Sequence, residues 1–200
     1  MKLIIVRHGE TDHNKTRTHM GQLDIPLNNL GHQQAKLVGQ RLATEKISAI
    51  YSSDLRRAKL TAQSIALHHP KLNIMYDPLL RERHVGILEG QPIQLKGMIR
   101  KGGGQVDRFH RPPNGESIHD VKLRAKEWYE KIRTQHEHDT IVVVGHGLYL
   151  YVLLELAIED GADGNREDFI LDNTSVTVLE VPKNGRAQVI HLNDTTHLQA

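Results

Sequence analysis

Short apolar runs alternate along this chain with amphipathic segments of helical spacing, and that alternation restricts it to an α/β layered fold. Lys2–Val6 is expected to be a first buried strand, with Ile47–Tyr51, Leu72–Tyr76 and Ile141–Val144 as further ones. Between them, Leu30–Glu45 carries Ala35, Val38 and Leu42 on one helical face, and the segment after Asp54, its expected cap, carries Ala58, Ala62 and Ile65. Ser117 is placed to cap a helix to about Thr134, with Ile118, Val121, Ala125, Trp128 and Ile132 turned inward and Trp128 assigned to the core. Gly145-His146-Gly147 then leads into a helix to about Ile158. Ser175–Val181 and Ala187–Leu192, joined by Pro182-Lys183-Asn184-Gly185, predict a hairpin.

Two hundred residues suit one domain. The regular pattern weakens from about Gln91 to Asn114, where Gly102-Gly103-Gly104 and Pro112-Pro113 predict an irregular insertion, a lid at about 91–114. With no cysteine, neither a disulfide framework nor a thiolate metal site is available. No apolar run approaches a membrane span, and the apolar start is too short for a signal peptide, so the expectation is a cytoplasmic protein without a membrane partner. Fourteen histidines invite a metal reading, but no HExxH pair is present, and stretches such as His136-Glu137-His138 read as solvated turns; no metal and no cofactor are expected.

The net charge of +2 is too small to argue for nucleic acid. Its distribution is uneven. Arg81 to Arg111 holds seven cations against three anions, an excess of four, which leaves the remainder at −2. Such a local excess fits a small anionic ligand better than a polyanion surface.

The strand end Arg7-His8 carries the first chemical signal. At the carboxyl edge of an open α/β sheet, where ligands bind, an imidazole is a nucleophile toward phosphorus and an adjacent guanidinium a fork for its oxygens. Alone, the pair is equally compatible with a surface histidine beside a solvated arginine.

The surrounding blocks decide between these. Arg7-His8-Gly9-Glu10-Thr11 with Asn14, Arg17, Gly21, Asp24, Pro26-Leu27 and Gly31 closely resembles the opening of the histidine phosphatase superfamily, the phosphoglycerate mutase-like proteins. The resemblance continues through Tyr51-Ser52-Ser53-Asp54-Leu55-Arg56-Arg57-Ala58, Leu80-Arg81-Glu82, Gly86 with Glu89-Gly90, Pro113-Asn114-Gly115-Glu116-Ser117 and Val144-Gly145-His146-Gly147. It implies a three-layer α/β/α sandwich with a central, mostly parallel sheet and a short lid. It implies His8 as covalent nucleophile, Arg7 and Arg57 as phosphate clamps, and His146 as a donor to the transferring group. Arg57 is preferred to Arg56 because it directly precedes Ala58, and Arg56 is expected in solvent. Glu82 matches the general acid, a role that needs a raised pKa, and Arg81 and Arg83 beside it would oppose this if they turned inward. Asn14 matches a pocket position able to touch substrate oxygen, while Thr11 holds its loop. Gly147 stands at a helix N-terminus, whose N–H groups make an anion site. Gly21, Asp24 and Gly31 are expected to shape turns and cap the next helix, and Glu116-Ser117 to be structural.

The departures bear on the reaction. Val85 and Leu88 stand where the family often has aromatics, and the insertion lacks the longer form with an adjacent Arg-Arg pair found in cofactor-dependent mutases, offering Arg108, His110 and Arg111 instead. The expectation is therefore a phosphomonoesterase acting through phosphohistidine on a small phosphorylated metabolite, with Arg108 and Arg111 binding the substrate's second anionic group; a homodimer is compatible with it. The alternatives are a 2,3-bisphosphoglycerate-dependent phosphoglycerate mutase, a phospho-ligand-binding regulatory module, and a metal-dependent hydrolase.

Overall fold

The computed structural model describes residues 1–93, 107–159 and 171–199. Six strands form one sheet in the order β3-β2-β4-β1-β5-β6. They are β1 (Lys2–Arg7), β2 (Ala49–Ser52), β3 (Ile74–Tyr76), β4 (Thr140–Gly145), β5 (Val176–Glu180) and β6 (Gln188–Asp194). The first four run parallel, whereas β5 pairs antiparallel with both β1 and β6. β5 and β6 are the expected hairpin.

Alternation along β1 explains the layering. Leu3 and Ile5 face the core built with α4 (Ile118–Gln135) and α5 (Gly147–Glu159), while Ile4 and Val6 face α2 (Asn29–Leu42) and α3 (Arg56–Ala66). A strand buried on both faces has no polar positions to spare, which is why β1 and β4 read as unbroken apolar runs. Trp128 is fully buried in the α4–α5 layer. The mixed sheet with helices on both faces is the expected architecture.

Local signals were mostly sound at helix starts. Ser117 caps α4 through a capping box with Asp120, and Asn28 caps α2 by accepting from Gly31 N at 2.8 Å. Asp54 does not cap α3. Its carboxylate takes both ends of the Arg81 guanidinium, at 2.7 and 2.6 Å, and the Arg56 N–H is met instead by Asp24 at 2.6 Å. Thr11 caps an unanticipated single-turn helix, α1 (Asp12–Lys15). Gly31 is needed for close approach, since a Cβ there would stand 2.0 Å from the Glu10 carbonyl oxygen. His136 is no solvated turn residue either: it bonds the Tyr51 hydroxyl at 2.8 Å and Asp139 at 2.7 Å. No described helix is long and apolar enough to cross a membrane.

The middle of the expected lid, residues 94–106, lies outside the described residues, together with Lys96, Arg100, Lys101 and the three glycines. Its leading flank is fixed to the loop after α1, for Ile93 N donates to Arg17 O at 2.8 Å and His19 N to Gln91 O at 2.9 Å.

Candidate active site

Parallel strands bring their carboxyl ends to one edge. Arg7 of β1 lies in register with Gly145 of β4, and Val144 with Ser52 of β2, so His8, Ser53 and His146 leave the sheet side by side. β5 runs the other way, which puts the residues before it, Asn173 and Thr174, on the same edge. Asn173 Nδ2 donates to His8 O at 2.8 Å and Thr174 N to Arg7 O at 3.0 Å. Thr174 adopts φ +56°, a conformation that costs a β-branched residue energy and is retained here beside the first strand's end.

His8 is buried, its ring 5.2 Å from that of His146. Its Nδ1 lies 2.7 Å from the Gly9 carbonyl oxygen. A carbonyl only accepts, so Nδ1 carries the proton and the lone pair is on Nε2. Burial first, then the Arg57 and Arg7 charges, hold the ring well below its ordinary pKa of 6.5. His8 is therefore neutral at physiological pH.

The same reasoning fixes His146. Arg57 Nε–H donates to its Nδ1 at 3.1 Å, so the proton is on Nε2, and that N–H donates to Ser53 Oγ at 2.8 Å. Burial, then Arg57, lower its pKa well below the ordinary value. The donor expected to meet the transferring group is thus held by Ser53. No motif argument had singled out that serine, although it lay within a matching block.

Arg57 is fully buried and Arg56 exposed, as anticipated. Beyond His146, its guanidinium donates to Leu23 O at 2.7 Å and Gly21 O at 2.8 Å. Burial pulls its pKa down to about 10, which leaves it cationic at pH 7. Arg7 donates to Leu171 O at 2.5 Å, and its Nε is buried with no partner among the described residues. Such an orphan is rare and marks a place for an acceptor.

Glu82 enters from the other side. Its carboxylate accepts from Arg83 N at 2.8 Å and from Leu148 N and Tyr149 N, each at 3.2 Å. The α5 N-terminus, expected to hold the ligand anion, thus holds this side chain. Gly147 completes the junction: a Cβ there would lie 3.7 Å from Arg7 Cζ and 3.9 Å from Glu82 Oε2. The flanking arginines are engaged elsewhere, Arg81 with Asp54, and Arg83 with Glu116 O at 2.7 Å and His110 O at 3.2 Å.

Asn14 Oδ1 accepts from Thr11 N at 3.1 Å and from Thr11 Oγ1 at 3.0 Å, so only its amide donors are left for a ligand. Thr11 holds this loop, as expected. The remaining two sequence candidates are tied to helices rather than to the cluster at the strand ends. Arg108 forms an ion pair with Glu155, a carboxylate 1% exposed that also accepts from the Tyr151 hydroxyl at 2.8 Å. Arg111, largely exposed, pairs with Asp120 at 2.7 Å. Expectation for Arg108→Ala follows: a buried charge loses its partner, and stability falls by about 3–5 kcal/mol. Urea unfolding tests this, since an unchanged midpoint would mean Glu155 does not depend on Arg108.

No group of three or more potential metal-binding side chains occurs among the described residues. The arrangement is one imidazole with a free lone pair, a buried and a half-buried guanidinium group, a second imidazole and a carboxylate, all meeting at one sheet edge.

Residues 3–195 match the family model of the histidine phosphatase superfamily, branch 1. A phosphoglycerate mutase-like protein 4 of Arabidopsis thaliana is 37% identical over 204 residues, spanning 99% of this chain and 87% of its own length. The fructose-2,6-bisphosphatase TIGAR of Xenopus laevis is 44% identical over 133 residues, 64% of this chain, and the match spans about half of that relative, 48%. Among solved structures, a phosphoserine phosphatase mutant of Entamoeba histolytica in complex with phosphoserine superposes with a TM-score of 0.84 at 30% identity, covering 98% of each chain.

Proposed function

The chain belongs to the histidine phosphatase superfamily, and we propose that it is a phosphoric monoester hydrolase that needs no metal, works through phosphohistidine, and acts on a small anionic phosphorylated metabolite. The observation that carries this reading is the tautomer of His8. Its Nδ1–H is bound to Gly9 O, so the Nε2 lone pair belongs to a neutral, buried ring between two guanidinium groups. That is what in-line attack on phosphorus requires.

In the first step His8 Nε2 attacks, an N–P bond forms and the bond to the leaving oxygen breaks. Arg7, through its unpartnered Nε, and Arg57, through the N–H groups not bound to loop carbonyls, stabilise the equatorial oxygens. His146 joins them by exchanging Ser53 for a phosphoryl oxygen. Glu82 gives its proton to the leaving oxygen; it then takes one from the water that attacks phosphorus, an O–P bond forms, the N–P bond breaks back to His8 Nε2, and the enzyme returns to its starting state. Asn14 offers its amide donors to the substrate, and Gly147 keeps the space between Arg7 and Glu82 free of a side chain.

Hydrolysis of phosphomonoesters across a metabolite panel is expected to survive EDTA and to fall with vanadate, which mimics the five-coordinate phosphorus. Loss of activity in EDTA would overturn the metal-independent reading. A 2,3-bisphosphoglycerate-dependent mutase assay belongs beside the panel. Isomerisation faster than hydrolysis would move the assignment to the mutase alternative.

A further inference from the structure

Glu82 lies in a stretch, residues 81–85, that belongs to no strand or helix, so no ladder fixes its carbonyl groups. Gln22 Nε2 reaches one of them, Glu82 O, at 3.1 Å, and a side chain from another layer reaches more. Arg124 of α4 donates through Nη1 to Leu79 O at 2.7 Å and Arg81 O at 2.6 Å, and through Nη2 to Glu82 O at 3.0 Å. Its remaining N–H groups meet Glu116, Nε at 3.0 Å from Oε1 and Nη2 at 3.1 Å from Oε2. All five guanidinium hydrogens are thereby used. Glu116 holds the same stretch from its far side, for its Oε2 accepts from His84 N at 2.8 Å and its own N–H donates to His84 O at 2.7 Å. The Arg124 guanidinium also lies over the Tyr149 ring, 5.0 Å from its centre, and the Tyr149 N–H is one of the donors to the Glu82 carboxylate.

We infer that Arg124, braced by Glu116, is a positioning residue that sets Glu82 for proton transfer to the leaving group. It grips the backbone that carries the carboxylate and packs on the helix end that receives it. Its hydrogen bonds reach none of His8, His146, Arg7 and Arg57, so its bonded influence runs through Glu82, while its charge, which also reaches His146, would act alike on every substrate. The inference rests on Glu82 being the general acid.

That distinction makes it testable. When the leaving oxygen departs as a stable anion, as from p-nitrophenyl phosphate, the P–O bond breaks without a proton. When the leaving group is more basic, as in phenyl phosphate, the proton from Glu82 matters. The quantity to compare is kcat/KM, which ends at leaving-group departure and excludes hydrolysis of phosphohistidine. Arg124→Met, similar in length and without donors, is expected to lower kcat/KM for phenyl phosphate by about 100-fold, in the range of general acid catalysis, and for p-nitrophenyl phosphate by less than about 5-fold. Glu82→Gln is the companion measurement and is expected to steepen the leaving-group dependence at least as much. In the double variant Arg124→Met should add little to Glu82→Gln, as for two residues acting through one step.

If Glu82→Gln lowers both substrates equally, the general-acid reading of Glu82 fails. If Glu82→Gln discriminates and Arg124→Met does not, Arg124 only supports the fold and the inference is overturned. Should Arg124→Met not fold, Glu116→Gln, which weakens the brace and leaves the Arg124 carbonyl contacts possible, is expected to discriminate in the same direction. A uniform loss there would equally count against it.

Discussion

His8→Ala is expected to abolish turnover, with a loss of about 10,000-fold or more in kcat, because the free lone pair of His8 Nε2 has no replacement at the site. His146 is no substitute, since its Nδ1 is taken by Arg57 and its Nε2 proton is on Ser53. Rapid acid-free quenching with radiolabelled substrate should give an acid-labile phosphoenzyme in the wild type and none in the variant. Retained hydrolysis, or a phosphoenzyme that persists in His8→Ala, would falsify His8 as the nucleophile. The burial that keeps His8 neutral also fixes a sign. The nucleophile is the unprotonated form, and its pKa lies well below 6.5, so the acid limb of kcat/KM due to His8 should lie below pH 6.5. A limb centred at or above 6.5 would contradict the environment described.

Arg57→Lys, conservative by charge, is expected to cost about 100- to 1000-fold in kcat/KM. The reason is the fork. Arg57 reaches Gly21 O, Leu23 O and His146 Nδ1 at once and still has two hydrogens to give. A lysine ammonium is one point on a flexible stem, so it must abandon either the loop carbonyls or the phosphate. Freeing Gly21 and Leu23 also loosens the loop held from its other side by Glu89, whose carboxylate accepts from Gln22 N at 2.8 Å. Vanadate inhibition should weaken alongside kcat/KM. Near-wild-type activity with unchanged vanadate affinity would mean that charge alone suffices and the fork has no role.

How far the sequence carried is visible in particular residues. Apolar runs and periods located every described strand and three of the four longer helices, since a buried face is written in local spacing, and the Gly145-His146-Gly147 turn placed the fourth. They missed α1, whose four residues are too few to show a period. Asp54 reads as a cap because that is the nearest use for a carboxylate before a helix; Arg81, distant in sequence, competes better by offering two parallel hydrogen bonds. The excess of positive charge in residues 81–111 suffered likewise. Arg81, Arg108 and Arg111 are met by Asp54, Glu155 and Asp120, all outside that segment, so three of the counted cations are already paired. Arg124 and Glu116 could not be found by counting, since what matters is which backbone carbonyls they reach.

The sequence by itself determined the order of the elements and put Arg7-His8 and Gly145-His146 at the ends of apolar runs, because periodicity and strand ends are local properties of the chain. Only the tertiary structure decided that these ends meet in one register beside Ser53 and Asn173. It alone decided which nitrogen of each histidine carries the proton, and that Glu82 occupies the α5 N-terminus. Those outcomes depend on burial and on hydrogen-bond partners from distant segments, and neither exists until the sheet has assembled.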